Sequence, residues 1–227
     1  MKKELITISL GGSMIIPDDV DVKFLRNFKK TIQENSKKYK FVIVSGGGSL
    51  ARKYISALQG RSDKNKSSAG IAATRANAKF MSIFFEQNPD QQIPTKFKEL
   101  EKLIKKNDLT FCGALGFKPK QTTDSTACEI AAKFKTIFIN ITNVKGLFDK
   151  NPKEFRDAKF IPEISRENFY KMINRFKYKP GQHLPLDQSS TRIIKENKIK
   201  AYIIGKNPKQ LDNLLNSRKF VGTTIFG

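Results

Sequence analysis

Two apolar segments that end abruptly in runs of glycine constrain the fold of this chain more than any other feature. Leu5 to Leu10 alternates β-branched and polar residues and stops at Gly11-Gly12. Phe41 to Val44 is a continuous apolar run that is followed closely by Gly46-Gly47-Gly48. Both patterns are typical of buried strands. We therefore predict two strands, each with a glycine loop at its carboxyl end.

Helical patterns separate these strands from others later in the chain. Val22 to Lys38 places apolar residues at helical spacing, with Asp21 near its start, where negative charge suits the helix dipole. Strands are also predicted at Leu109 to Cys112, Thr136 to Ile141 and Ile199 to Ile204, and helices at Asp124 to Phe134, Asp187 to Asn197 and Pro208 to Asn216. This alternation indicates an α/β fold with a mostly parallel central sheet and helices on both faces. The polar stretch from Arg61 to Ser68 is predicted to be a loop.

The position of the glycine loops suggests where a ligand binds. Ligands of parallel sheets bind beyond the carboxyl ends of the strands, where both loops fall. Glycine backbone N–H groups can approach a phosphate without interference from side chains, although the same glycines can also form simple tight turns. Two such loops favour two phosphate-bearing ligands, or one phosphate chain held from two sides. Neither loop has the Walker pattern or the spaced glycines of a dinucleotide site.

The chain is strongly basic, with 43 Lys and Arg against 21 Asp and Glu and a net charge of +22. Such a charge favours anionic partners such as nucleotides, phosphates or nucleic acid. Lysine pairs such as Lys37-Lys38 are, however, typical of solvated helix faces. No zinc finger, RRM signature, KH loop or basic zipper is present, so a nucleic-acid partner is not predicted.

The cysteines and the apolar segments bear on where the protein resides. Cys112 and Cys128 lie in apolar or helical contexts without Cys or His at ligand spacing, which indicates buried thiols and neither disulfides nor zinc. The apolar run Leu5 to Leu10 is short for a signal peptide and has no small-residue cleavage site after it. No later segment is long enough to cross a membrane. We expect a cytoplasmic protein.

A set of short motifs, taken in order along the chain, resembles the archaeal-type UMP kinases of the amino acid kinase family. The motifs are Gly46-Gly47-Gly48-Ser49-Leu50-Ala51-Arg52-Lys53-Tyr54, Thr74-Arg75-Ala76-Asn77-Ala78, Thr122-Thr123-Asp124-Ser125, Ile141-Thr142-Asn143-Val144-x-Gly146 and Gly222-Thr223-Thr224-Ile225. The resemblance covers nearly the whole chain and implies the amino acid kinase fold in a single domain of residues 1–227. The N-terminal part would bind the phosphate acceptor, and the part from about residue 136 would bind ATP.

The resemblance also implies an activity and a set of site residues. The activity is transfer of the γ-phosphoryl group of ATP, with Mg²⁺, to UMP. UMP would be held by Gly47, Arg52, Lys118, Gln121, Thr122, Thr123 and Asp124. ATP would be held by Gly12, Ser13, Gly48, Thr142, Asn143, Phe148 and Asn151. Arg52 and Asp124 are the implied catalytic residues, no resident metal ligands are assigned, and a homohexamer is implied.

Several of these residues also have a purely structural interpretation. The planar guanidinium of Arg52 can hold two phosphate oxygens, but a residue at this place can also be a solvated helix residue. Asp124 can serve the reaction, cap the helix that begins near it, or do both. Asp187 is predicted to be a helix cap. His183, the only histidine, is predicted to be structural or solvent-exposed.

Some positions depart from the family pattern. Lys145, Phe148 and Asn151 differ from the residues expected in the ATP segment, and Ser67 stands where an Asp usually reads the ribose of UMP. Ser9 replaces a lysine of many relatives, but the archaeal UMP kinases also lack that lysine.

These departures leave two other functions open. One is a kinase of another small phosphate, such as isopentenyl phosphate kinase, although the histidine of that group is Ser45 here. The other is a non-catalytic relative that binds a nucleotide or an oxyanion.

Overall fold

The computed structural model describes residues 3–118, 121–175 and 186–227. The order of secondary-structure elements follows the alternation predicted from the sequence. The elements are β1 (Glu4–Leu10), α1 (Gly12–Ile15), α2 (Val22–Asn35), β2 (Tyr39–Ser45), α3 (Gly48–Ser56), α4 (Asp63–Phe84), α5 (Phe97–Lys106), β3 (Leu109–Cys112), α6 (Thr123–Phe134), β4 (Ile137–Ile141), β5 (Leu147–Phe148), β6 (Phe160–Ile161), β7 (Glu163–Ser165), α7 (Arg166–Asn174), α8 (Gln188–Glu196), β8 (Ala201–Ile204), α9 (Pro208–Leu215) and β9 (Gly222–Phe226).

A seven-stranded sheet has the order β3-β2-β1-β4-β8-β9-β7. Strands β3, β2, β1, β4 and β8 are mutually parallel, and β9 runs antiparallel to β8. Strands β5 and β6 form a separate antiparallel hairpin. The predicted mostly parallel sheet is therefore confirmed.

The two faces of the sheet are buried against different helices. Alternate residues of β1, such as Ile6 and Ile8, join a core cluster with α2, α4 and α9. The opposite face, with Val42 and Val44 of β2, packs on α5, α6, α7 and α8. Such burial on both sides explains why β2 is apolar at consecutive positions. Cys112 and Cys128 lie in the second cluster as buried free thiols, as predicted.

The path of the chain through the sheet creates a crevice. From β1 the chain proceeds to β2 and β3 on one side, and it then returns to β4 and β8 on the other side of β1. The connections therefore diverge between β1 and β4, and ligands of open parallel sheets bind at such a switch point. The first glycine loop and the segment that begins with Thr142 follow these two strands.

The predicted loop from Arg61 to Ser68 is wrong, because most of it is helical. Ser62 is the N-cap of α4, and its Oγ accepts a hydrogen bond from the N–H of Asn65 at 3.2 Å. The residues of this first turn are polar because they face solvent, and their polarity does not prevent a helix once a serine caps it. Ser67 therefore lies on α4. No helix in the described ranges is long and apolar enough to cross a membrane.

Candidate functional site

The two predicted glycine loops lie directly against each other beyond β1 and β2. The N–H of Gly46 donates to the carbonyl of Leu10 at 2.9 Å. A Cβ atom built on Gly12 would overlap the backbone of Gly48, and one built on Gly46 would overlap the backbone of Gly12. Gly48 also has a φ of +59°, a conformation that favours glycine. Close backbone approach therefore requires glycine at these positions.

The N-terminus of α3 lies at this contact. Gly47 is the N-cap of α3, and within the described chain no side chain caps that end. The first N–H groups of a helix have no partner inside the helix, and this end carries partial positive charge. Of these groups, the N–H of Ser49 donates to the carbonyl of Ile16 at 3.0 Å. The arrangement suits an anion such as a phosphate group.

The contact between Gly12 of the first loop and Gly46 and Gly48 of the second is called the glycine contact below. A cavity of about 800 Å³ opens beside it. It is lined by Arg52 and by five of the seven residues predicted to hold ATP, namely Ser13, Thr142, Asn143, Phe148 and Asn151. The other two, Gly12 and Gly48, form the glycine contact itself. The structure thus brings together residues that are far apart in the sequence.

The β5–β6 hairpin forms one wall of this cavity. Phe148 of β5 and Phe160 of β6 place their ring centroids 5.5 Å apart. The Nζ atom of Lys145 lies 5.6 Å from the centroid of Phe148 and 4.9 Å from that of Phe160, within the range of cation–π attraction. Lys145, a departure from the family pattern, therefore stabilises the aromatic wall.

Thr223 of β9 fixes the same hairpin to the sheet. Its Oγ1 accepts a hydrogen bond from the N–H of Leu147 at 2.7 Å and donates one to the carbonyl of Ile161 at 2.6 Å. One hydroxyl thus joins both strands of the hairpin. This gives the closing Gly-Thr-Thr-Ile motif a structural role that the sequence alone did not reveal.

Asn151 shapes the turn that follows Phe148. Its Oδ1 accepts from the N–H of Lys153 at 3.1 Å, and its Nδ2 donates to Glu154 at 2.6 Å. An aspartate could make the first of these bonds but could not donate the second. The asparagine is therefore suited to this turn, and its contact with ATP remains a prediction.

Arg52 projects from α3 to the rim of the cavity. It is exposed, and its Nη2 donates to the carbonyl of Pro17 at 2.9 Å. A guanidinium has five N–H donors, so this bond leaves others for a ligand. The side chain is therefore oriented toward the cavity by the loop after α1.

Asp124 lies in the first turn of α6, and Ser9 of β1 donates to its Oδ1 at 2.5 Å. The interpretation of Asp124 as the helix cap is wrong, because Thr122 is the N-cap and accepts from the N–H of Asp124 at 3.2 Å. Burial raises the pKa of Asp124 from 3.8 to about 7; the bond from Ser9 lowers it, and the nearby charge of Asp187 raises it.

Asp187 caps α8, as predicted, and also joins this helix to α6. Its carboxylate accepts from the N–H of Ser190 at 2.8 Å, from the hydroxyl of Ser125 at 2.8 Å and from the hydroxyl of Thr122. The N-terminal ends of two helices are therefore held by one carboxylate next to Asp124.

The raised pKa of Asp124 predicts a pH-dependent stability. The unfolded carboxyl titrates near 3.8 and the folded one near 7, so between these values the folded state binds more protons. The free energy of unfolding should therefore fall as pH rises from about 4 to about 7, by on the order of 3 kcal/mol. In Asp124→Asn this contribution should vanish. Urea denaturation of both proteins across this range measures it, and parallel pH profiles would contradict it.

The Thr-Arg-Ala-Asn-Ala motif lies on α4 and holds the loops after β2 and β3. The hydroxyl of Thr74 accepts from the N–H of Ala114 at 3.0 Å, and Arg75 donates to the carbonyl of Ala114 at 3.2 Å. Asn77 donates to the carbonyl of Gly46 at 2.7 Å. The motif therefore positions the second glycine loop, a role that its sequence alone did not indicate.

The remaining residues predicted to hold UMP lie outside the lining of the large cavity. Lys118 Nζ and Gln121 Nε2 both donate to Oε1 of Glu129 on α6, at 2.6 Å and 3.0 Å. Thr123 is half-buried at the start of α6. His183 lies outside the described residues. Across the described ranges, no three His, Cys, Asp or Glu side chains cluster as metal ligands.

Comparison with known proteins places the chain in a family. Residues 4–205 match the amino acid kinase family. The uridylate kinase of Archaeoglobus fulgidus is 33% identical over 223 residues, covering 97% of this chain and 99% of that protein. The uridylate kinase of Thermoplasma volcanium is 32% identical over 226 residues, covering 98% and 97%.

Solved structures agree with this placement. The crystal structure of the Archaeoglobus fulgidus uridylate kinase superposes with a TM-score of 0.82 at 29% identity and covers 99% of this chain and 100% of that one. An aspartate kinase from Synechocystis shares the fold, with a TM-score of 0.72 at 13% identity, covering 98% of this chain and 40% of that one. The chain belongs to the amino acid kinase family and, within it, to the archaeal-type uridylate kinases.

Proposed function

We propose that this protein is a UMP kinase, which transfers the γ-phosphoryl group of Mg·ATP to UMP and gives UDP. The observation that carries the proposal is the convergence of Arg52 and five predicted ATP-binding residues on one cavity beside the glycine contact. Similarity to uridylate kinases over nearly the full length supports the choice of substrate. The same similarity disfavours an isopentenyl phosphate kinase and a non-catalytic relative.

The order of strands suggests how two substrates share the sheet. The large cavity lies beyond β4, so ATP would occupy that side. The loops that carry Gly47 and Lys118 follow β2 and β3 on the other side of β1, where UMP would lie. The transferred group would then pass over the glycine contact, close to Arg52.

The reaction needs little acid or base catalysis from the protein. A phosphate oxygen of UMP is already a nucleophile at neutral pH, so the enzyme must align donor and acceptor and neutralise charge on the moving phosphoryl group. The guanidinium of Arg52 and the N–H groups at the start of α3 can supply that charge. The Mg²⁺ ion would enter with ATP.

Asp124 is a proposed catalytic residue whose protonation state matters. Its carboxyl group lies at the end of β1 through the bond from Ser9, near the path of the phosphoryl group. An ionised carboxylate would repel phosphate, whereas a protonated one can donate a hydrogen bond to a phosphate oxygen. A pKa of about 7 populates both forms near neutral pH.

Turnover of UMP by the purified protein tests the proposal. With ATP and Mg²⁺, we expect kcat/KM for UMP to exceed that for CMP or AMP by at least tenfold, since binding one base edge and not another gives discrimination of this order. Chelation of Mg²⁺ should abolish the reaction, because the ion would neutralise negative charge on the phosphates of ATP. Equal use of all three nucleotides would contradict the assignment, and phosphorylation of isopentenyl phosphate alone would favour the other kinase.

The homohexamer remains a proposal, which sedimentation measurements would test.

A further inference from the structure

The side chain of Glu129 connects two residues of the proposed acceptor loop. It projects from α6, and only 19% of it is exposed. Its Oε1 accepts from Lys118 Nζ at 2.6 Å and from Gln121 Nε2 at 3.0 Å. The backbone N–H of Gln121 also donates to the carbonyl of Lys118 at 3.3 Å. Lys118 and Gln121 are thus both held by one carboxylate.

The chemistry of these groups determines how the amide of Gln121 is oriented. An ionised carboxylate can only accept hydrogen bonds, so the amide must present its NH₂ group to Glu129. The carbonyl Oε1 of the same amide is then turned away from Glu129. Because Gln121 is only half-buried, this oxygen is available to a ligand as a hydrogen-bond acceptor.

The position of Gln121 matches the base of the acceptor nucleotide better than its phosphate. The acceptor phosphate must lie near the glycine contact, where the large cavity proposed to hold ATP begins. Gln121 follows β3, the outermost strand on the acceptor side of the sheet, and does not line the large cavity. The charge of Lys118 is paired with that of Glu129, which also makes Lys118 a poor ligand for a phosphate.

We infer that Glu129 is a specificity-determining residue, which fixes the amide of Gln121 so that its Oε1 accepts a hydrogen bond from the N3–H of uracil. Cytosine has an unprotonated acceptor at N3, so it would meet an oxygen that cannot donate. The Glu129–Gln121 pair would therefore select UMP over CMP. This inference rests on the proposed function and specifies how that site reads its substrate.

The Glu129→Ala variant tests the inference. Without the carboxylate, the amide of Gln121 can rotate and offer its NH₂ group to cytosine. We expect the ratio of kcat/KM for UMP to that for CMP to fall about tenfold, since one hydrogen bond to uracil N3–H would be lost and one to cytosine N3 would become possible. The KM for ATP should stay within twofold of the parent value, roughly the scatter of such measurements. Calorimetric Kd values for UMP and CMP should show the same change in ratio.

Three further variants separate base reading from a merely structural role. Lys118→Met removes the ion pair but keeps the bond between Gln121 and Glu129, so the ratio should be unchanged even if both KM values rise. Gln121→Leu removes the amide that would accept a hydrogen bond from uracil, and it should lower the UMP/CMP ratio as Glu129→Ala does. Glu101→Ala removes a partly exposed carboxylate that pairs with Lys105 at 3.4 Å on α5 and serves as the matched charge control.

The outcomes are distinct for the two proposals. If Glu129→Ala lowers kcat/KM for both nucleotides equally, Glu129 only stabilises the loop and the inference is overturned. If the parent protein neither binds nor phosphorylates UMP, the proposed function itself fails. Should Glu129→Ala prove unfolded by circular dichroism, Gln121→Leu decides the matter, because an unchanged ratio in that variant overturns the inference as well.

Discussion

Replacement of Arg52 by alanine is expected to lower kcat/KM for UMP at least tenfold. The guanidinium lies at the rim of the large cavity, held by its bond to the carbonyl of Pro17. Removal of a charge-assisted hydrogen bond to phosphate costs on the order of 2 kcal/mol in transition-state stabilisation. Steady-state kinetics with ATP and UMP, with circular dichroism to confirm folding, measures this loss.

Two control variants show whether the loss of activity in Arg52→Ala is specific to the guanidinium of Arg52. Lys53→Ala removes a positive charge from the next residue of α3, which is also exposed, and should change kcat/KM by less than about twofold, as expected for a surface side chain. Arg52→Lys keeps the charge but not the planar fork and should restore only part of the activity. If Arg52→Ala and Lys53→Ala behave alike, Arg52 is only a surface residue of α3.

The sheet was predictable because its strands are short apolar or alternating segments, and β1, β2, β3 and β8 are followed closely by glycine. β1, β2 and β3 lie where the sequence placed them, to within two residues at either end. α4 was missed because its first turns are polar and exposed, so they carry no amphipathic signal. The cue for the start of this helix was Ser62, which caps it.

The residues that line the large cavity were easier to predict than the contacts that hold the site together. Motif resemblance identified residues that converge on one cavity, among them Thr142 and Phe148. The bond from Ser9 to Asp124, between residues 115 positions apart, depends on α6 packing across β1. The hydrogen bond from Gln121 to Glu129 likewise depends on the packing of α6. No local pattern of residues encodes such contacts.

The second large effect on stability and activity is expected for Gly12→Ala, at the glycine contact. The new methyl group would overlap the backbone N and Cα atoms of Gly48, and no rotamer change can relieve a clash with backbone. The two loops would have to separate, which should destabilise the fold by about 3 kcal/mol, at the upper end for overpacked sites. Displacement of the loops by about 1 Å should also lower kcat about a hundredfold.

Gly70→Ala provides the matched control for this prediction. Gly70 lies inside α4, and its new Cβ would meet only the end of the Ile55 side chain, at 3.3 Å. Alanine is favoured over glycine inside a helix by about 1 kcal/mol, so this variant should be as stable as the parent or slightly more stable. Urea denaturation and UMP turnover of both variants test the contrast. If Gly12→Ala keeps parental stability and rate, the loops can separate freely, and their close contact is not needed to hold the phosphate chain.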